Sequence, residues 1–281
     1  MSDDSGTDPA WPGGSVPLSS SPSSVSPPTI ADMAEPDFDD RRLSFGAQSQ
    51  NYADHRPGYP DEALQWVLAL ASRPVERIAD VGAGAGALTR SLVGLAPQVE
   101  AFDPDQGMLD ELGRRLPDVP RHRAAAEHLP LPDASVDAVM VGQAWHWFDR
   151  QAAALEFTRV VRPGGVIGLL WNVRDDREPW MAALSDLIDG EDSLRSSRAD
   201  ALHLVAAVHP QVMRRDFTQR VAMPSEAVVG LVSTFSYVRL RPDAEAVLAS
   251  VRHLLATHPD TVGRDTVELP YVTAAYRIPC R

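Results

Sequence analysis

The 281-residue chain predicts an α/β fold built on a doubly wound, mostly parallel sheet, and three observations predict it. Short apolar runs alternate with segments of helical period from Arg77 to Trp171. Those runs are apolar throughout instead of alternating with polar residues. A glycine cluster separates the first run from the helix that follows it. Strands apolar on both faces belong to a parallel sheet covered by helices on both sides, and strand–helix alternation at this spacing is that of successive βαβ units.

The elements follow in order. Residues 1–40 hold seven prolines from Pro9 to Pro36 and a serine cluster from Ser15 to Ser26, with few large apolar residues. Such a segment buries too little surface to offset its ordering entropy, so it is expected to be a disordered tail, with the folded domain over 41–281. Leu64, Val67, Leu68 and Ala71 share one face of a helix over 60–71, started by Pro60 and Asp61. Strands are then expected at 77–82, 98–103, 136–142 and 166–171, and helices at 86–96, 108–116 and 150–161. Together they make a core over about 75–175. Beyond Trp171, helices at 179–188, 225–231 and 242–256 and a final strand pair or hairpin edge over 266–277 suggest a partial helical cap and the closing strands.

Composition narrows the function classes. Net charge is −13, but residues 1–40 carry eight acids and no base, leaving 31 acids against 26 bases in the remainder. A net-acidic chain without a basic run is a poor binder of nucleic acid or anionic membrane through bulk charge. All 26 basic residues are Arg, which excludes lysine Schiff-base chemistry, a Walker-type loop and the protein-kinase ion pair. The single cysteine, Cys280, excludes an intrachain disulfide or a cysteine zinc site. His203 with His209, and His253 with His258, have near-helical spacing but no fixed acidic partners, so no metal is expected. No apolar run reaches membrane-spanning length and no secretory signal is visible. A cytoplasmic protein, as a monomer or homodimer, is the expectation.

The run DVGAGAG (80–86) ends the first strand. Its glycines permit a tight turn and a close backbone approach to a ligand. Gly82, Gly84 and Ala87 satisfy a dinucleotide fingerprint, and Asp103 lies where a ribose-binding acid belongs, so NAD is one reading. Asp80 argues the other way, since its carboxylate repels a pyrophosphate and attracts the ammonium of a methionine moiety. The third glycine also falls two residues after the second, a pattern that suits the phosphate-free, cationic S-adenosylmethionine.

Beyond the loop, FDPD (102–105), AEHLPLPD (126–133) before VDAVM (136–140), and RPGG (162–165) before a strand occur in the order of the motifs of class I S-adenosylmethionine-dependent methyltransferases, which the chain resembles over about residues 45–175. FGAQSQNYADHRPGYP (45–60), QAWHWFD (143–149), WN (171–172) and LPYVTAAYR (269–277) further resemble the trans-aconitate methyltransferase-like subgroup. The resemblance implies a seven-stranded Rossmann-like sheet and methyl transfer to a small molecule, with a carboxylate oxygen the preferred acceptor. A non-catalytic protein binding the same cofactor would need the same pocket, and an NAD-dependent oxidoreductase is a further alternative.

By resemblance, Asp80, Gly82, Gly84 and Gly86 line the methionine end of the cofactor and Asp103 accepts from both ribose hydroxyls. Met108 packs on adenine or, alternatively, in its own helix core. The family often has an acid near Ala125; here three alanines (124–126) stand, so the adenine contact falls to backbone around Ala126 or to Glu127. Gln143 matches a position near the methyl group. Tyr52 and Arg56 lie on a segment that folds over the cofactor in similar enzymes. His146, flanked by Trp145 and Trp147, borders the acceptor and serves as a base if the acceptor is protonated; the alternative is a buried aromatic corner. Arg174 and Arg177 follow the last parallel strand, where bidentate pairing would suit an anionic acceptor, unless they are solvated loop residues.

Overall fold

The structure is a computed structural model that describes residues 56–189 and 211–280. The expected tail, Tyr52, and the pair His203 and His209 lie outside the described residues. Helix α1 (Asp61–Leu68) leads into β1 (Arg77–Val81), α2 (Ala87–Leu92), β2 (Gln98–Asp103), α3 (Gln106–Arg115), β3 (Arg121–Arg123) and β4 (Val136–Gly142). A 3₁₀ turn (Trp145–Trp147) precedes α4 (Arg150–Val160) and β5 (Val161–Arg174). Then come α5 (Pro179–Asp189), β6 (Met213–Pro224), α6 (Ser225–Ser233), α7 (Ser236–Arg239), α8 (Ala244–Thr257) and β7 (Thr266–Pro279).

The sheet has seven strands in the order β3-β2-β1-β4-β5-β7-β6. Strands β1 to β5 pair in parallel, and β7 runs antiparallel to both β5 and β6. Period-two alternation sorts their side chains. Ile78, Ala138, Met140, Val166 and Leu170 pack with Leu64, Val67, Leu88 and Leu92 of α1 and α2. Ala79, Val81, Val139, Val141, Ile167 and Leu169 pack on the opposite face with Ala153, Phe157 and Val160 of α4. A further core joins α5, α6 and α8 to Val267, Leu269 and Tyr271 at the start of β7, forming the cap.

Two expectations change. The segment 266–277 is one long strand, not a hairpin; its partner is β6, which carries Arg214, Arg215, Asp216 and Arg220 on an outer strand whose first four residues are all exposed. An edge strand with little buried surface shows no apolar run to read. The same holds for β3, whose sequence is RHR. Strand β5 also begins five residues early, because Pro163–Gly165 is carried within it, beside a register shift at Val136/Ala138.

The N-terminal edge of the sheet is tied by Asp137. Its Oδ2 accepts from Glu76 N and Arg77 N, both at 3.0 Å, and its Oδ1 from Arg162 Nη1 at 3.0 Å. Burial alone would raise this carboxyl, but Arg162 and the two amides hold it below the usual range. No described helix is long and apolar enough to cross a membrane.

Candidate active site at the C-terminal edge of the sheet

Ligands of open α/β sheets bind beyond the carboxyl ends of the strands, where the strand order reverses. Here that point lies between β1 and β4, where the glycine loop leaves β1. Gly82 and Ala83 donate to Phe102 O at 2.8 and 3.1 Å, which folds the loop against the end of β2. Gly84 N donates to Asp103 Oδ2 at 2.8 Å, and Asp105 N to Asp103 Oδ1 at 2.9 Å. Asp103 is therefore fixed in rotamer beside the loop.

Gly82 and Gly84 both have positive φ, +70° and +54°, but in opposite surroundings. A Cβ on Gly82 would lie 2.5 Å from Ala144 Cβ and 3.0 Å from the Phe148 ring; one on Gly84 would meet none of the described residues within 4 Å. One glycine serves packing and the other leaves an open approach to backbone. Gly86, also left-handed, is the N-cap residue of α2.

Asp80 is fully buried at the end of β1. Thr89 Oγ1 of α2 donates to its Oδ2 at 2.6 Å, and its Oδ1 has no hydrogen-bond partner among the described residues. Burial first, and the neighbouring Asp103 charge in addition, push its pKa up to about 7 against the Thr89 hydrogen bond. A buried carboxylate oxygen without a donor is costly unless a ligand supplies one.

On the other side of Asp103, Ala124 N donates to Asp103 O at 3.2 Å, which brings Ala126 and Glu127 near the β2 end. Ala126 and Met108 are buried. The Asp105 carboxylate caps α3 by accepting from Gly107 N and Met108 N, fixing where Met108 stands. Glu127 accepts from Asp149 N at 2.8 Å, so one of its oxygens is engaged at the start of α4.

Gln143 follows β4 with φ +57°, rare for a residue with a side chain. Its N donates to Leu170 O at 2.9 Å and its Nε2 to Asn172 O at 2.9 Å. Trp145 does not face the cleft as an acceptor-binding residue would; it takes the alternative reading, a buried aromatic corner. Its ring is 3% exposed and packs in the core with centroids 6.1 Å from Phe148 and 6.0 Å from Phe157. A large apolar ring gains more there than at a wet rim. Trp147 is half-buried against that core, 4.8 Å from the His146 ring. His146 is exposed on the turn, yet protein crowds it on its other sides. That crowding, with the Arg150 guanidinium second, pushes the imidazole down to about 4. Water on the ring tempers the size of this push and not its sign, so His146 is neutral at pH 7.

Arg174 and Arg177 separate. Arg177 is exposed and pairs with Asp175 at 2.6 Å, an ordinary surface ion pair. Arg174 is 7% exposed, donating from Nε to Ser185 Oγ at 2.8 Å and from Nη1 to Tyr237 Oη at 3.1 Å. Its Cζ lies 5.8 Å from the Phe235 ring centroid, and Arg56 Cζ lies 4.7 Å from the same ring. The structure thus brings two arginines from opposite ends of the domain onto one aromatic ring.

Thr89, Phe235 and Tyr237 were not singled out by sequence, and Asn172 only as part of the WN pair (171–172), without a role. Of the first three only Thr89 left a trace: like Asp80, it is polar at a position where the apolar pattern calls for a core residue.

Comparison with known proteins agrees with this geometry. Residues 79–169 match the family model of a methyltransferase domain. An uncharacterized methyltransferase of Mycobacterium tuberculosis (strain H37Rv) is 40% identical over 240 residues, covering 85% of this chain and 96% of that protein. An uncharacterized methyltransferase of Schizosaccharomyces pombe is 29% identical over 242 residues, covering 83% and 95%. The solved structure of a candidate type II methyltransferase from Anaeromyxobacter dehalogenans superposes with a TM-score of 0.65 at 26% identity, covering 80% of this chain and 98% of that one. Sheet order, loop and sequence lead to one assignment, and the chain belongs to the class I S-adenosylmethionine-dependent methyltransferases.

Proposed function

We propose that the protein transfers the methyl group of S-adenosylmethionine to a carboxylate oxygen of a small-molecule acceptor, the acceptor class suggested by its likeness to trans-aconitate methyltransferase-like enzymes. The observation that carries the cofactor assignment is Asp80 Oδ1, buried and, among the described residues, without a donor, in a loop whose Gly84 backbone no described residue covers. An ammonium supplies the missing donor and a compensating charge; a pyrophosphate would supply neither. Asp103, held by Gly84 N and Asp105 N, accepts from the ribose hydroxyls, while Met108 and Ala126 give adenine an apolar wall. Bound there, the cofactor offers a methyl group on a sulfonium sulfur.

The chain's remaining task is alignment. An ionised carboxylate attacks without a base, so positioning and exclusion of water carry the step. Arg56 and Arg174 put two guanidiniums against Phe235, positive charge that would suit an anionic acceptor reaching that ring. His146, its imidazole held below the ordinary range by its protein surroundings and by Arg150, is neutral at pH 7 and a weaker base than a free histidine. His146→Ala is accordingly expected to keep turnover within about threefold, measured as S-adenosylhomocysteine formed with a panel of small carboxylic acids. A drop of roughly 100-fold, typical of a lost general base, would reinstate that role.

Calorimetric titration with S-adenosylmethionine, S-adenosylhomocysteine and NAD tests the assignment. The two adenosyl ligands are expected to bind at micromolar Kd, NAD not at all, and Asp103→Ala to lose both. Binding of NAD in their place would make the protein an oxidoreductase candidate and end this reading.

A further inference from the structure

Asn172 stands at the crossing of four elements. Its Nδ2 donates to Gly58 O at 3.0 Å. Its Oδ1 accepts from Thr273 Oγ1 of β7 at 2.6 Å and from Gln219 Nε2 of β6 at 3.0 Å. Its main-chain O accepts from Gln143 Nε2 after β4. Gln219 Nε2 also reaches Gly58 O at 3.3 Å. The side chain thus spends both amide ends on partners far apart in sequence, which is rare for a residue serving only its own strand.

Gly58 belongs to a short strap, Arg56–Tyr59, that crosses the ligand edge of the sheet. Tyr59 N donates to Ser91 Oγ of α2 at 3.1 Å, and the Tyr59 hydroxyl lies against Gly142 at the end of β4. Arg56 at the other end stacks on Phe235 of the cap. The strap is therefore pinned at α2, at β4 and at the cap, and its middle is held by Asn172 with Gln219.

We infer that Asn172 is a positioning residue for methyl transfer: its side chain latches the strap carrying Arg56 and Tyr59, while its carbonyl holds Gln143, so that both walls of the transfer end of the cleft keep one spacing. The role of this cleft rests on the proposed function above; the latch itself rests on the hydrogen bonds. Neither ligand-binding acid, Asp80 or Asp103, is touched by it.

The chemistry of the latch supplies its test. Asn172→Asp keeps the shape and keeps the bonds from Thr273 and Gln219, but turns the donor facing Gly58 O into a second acceptor. Exchange of the two strap amides, Gly58 and Tyr59 (Pro57 and Pro60 carry none), is expected to quicken at least tenfold in the full-length variant, with β1 and β2 amides unchanged. S-adenosylhomocysteine is expected to dissociate at least tenfold faster, with its association rate within threefold. Gln219→Glu, which removes the donor shared by Gly58 O and Asn172 Oδ1 while leaving Asn172 Nδ2 in place, is expected to do the same and guards against misfolding of the first variant. Unchanged strap exchange, or acceleration spread equally over β1 and β2, would overturn the latch. Strap exchange that quickens while dissociation stays at the wild-type rate would overturn the positioning role. A wild-type protein that binds no S-adenosylhomocysteine would sink the methyltransferase reading instead, and strap exchange alone would then decide the latch.

Discussion

Asp80→Asn is expected to weaken S-adenosylmethionine binding by roughly 100-fold while raising the stability of the ligand-free protein at pH 8. The two effects have opposite signs because the carboxylate is placed for a ligand and not for the fold. Its pKa rises from 3.8 in the unfolded chain to about 7 when buried. A carboxyl raised on folding leaves its stability contribution intact below pH 3.8; the contribution is lost progressively as pH climbs through about 7 and is flat above. About three pH units at 1.36 kcal/mol each put the loss on the order of 4 kcal/mol at pH 8. Asparagine removes that charge but leaves its amide with no new partner, which takes back about 1–3 kcal/mol. The net gain of roughly 2 kcal/mol corresponds to a rise of about 4–8 °C in Tm for a domain of this size. Thermal unfolding at pH 8 and calorimetry on the same sample check both. A variant that loses stability and binding together would make Asp80 a structural residue.

The same burial sets a pH dependence for the wild type. The ammonium needs the ionised carboxylate, so affinity for the cofactor falls below pH 7, towards tenfold per pH unit once Asp80 is mostly protonated.

How much of this was legible in the sequence follows from where each residue gets its constraint. Strands β1, β2 and β4 and the glycine loop are set by local patterns, apolar runs and a turn that only glycine tolerates, so they could be read directly. Asp80 and Asp103 were readable because each occupies the end of such a run, and strand ends converge on one edge whatever the rest of the chain does. Strands β3 and β6 were not readable, since an edge strand such as Arg121–Arg123 buries almost nothing and leaves no period. Arg174 was placed correctly on the ligand edge, but its approach to Arg56 depends on Phe235 of the cap, a contact between segments more than a hundred residues apart that no spacing encodes. Trp145 had two readings, a wall of the acceptor site or a buried aromatic corner, and the sequence left them open for a related reason. A motif shows that an aromatic stands after β4, while only packing decides that its ring turns inward to Phe157.

Gly84→Val and Gly82→Ala are expected to separate binding from folding within a single loop. Each replaces a left-handed glycine, and that strain alone costs about 1–2 kcal/mol. At Gly82 the new methyl also meets Ala144 Cβ at 2.5 Å and the Phe148 ring at 3.0 Å. Both neighbours are held by the α4-side core, so overpacking adds about 1–3 kcal/mol. The sum of about 3 kcal/mol predicts a Tm loss of roughly 6–12 °C. At Gly84 no described residue stands within 4 Å of the added Cβ, so the loss of Tm stops at the strain, roughly 2–8 °C. The valine side chain then fills the open approach to the backbone beside Asp103, and S-adenosylhomocysteine affinity is expected to fall by at least about 100-fold in a protein that remains folded, since a steric block of about 3 kcal/mol is enough. Calorimetry and thermal unfolding of both variants decide the matter. Normal affinity in Gly84→Val would mean that the open side of the loop faces away from the ligand, and the cofactor would then have to be placed on the Gln143 side of the edge. A Gly82→Ala protein of wild-type stability would mean that the 144–148 turn yields readily, which its place against the α4 core argues against.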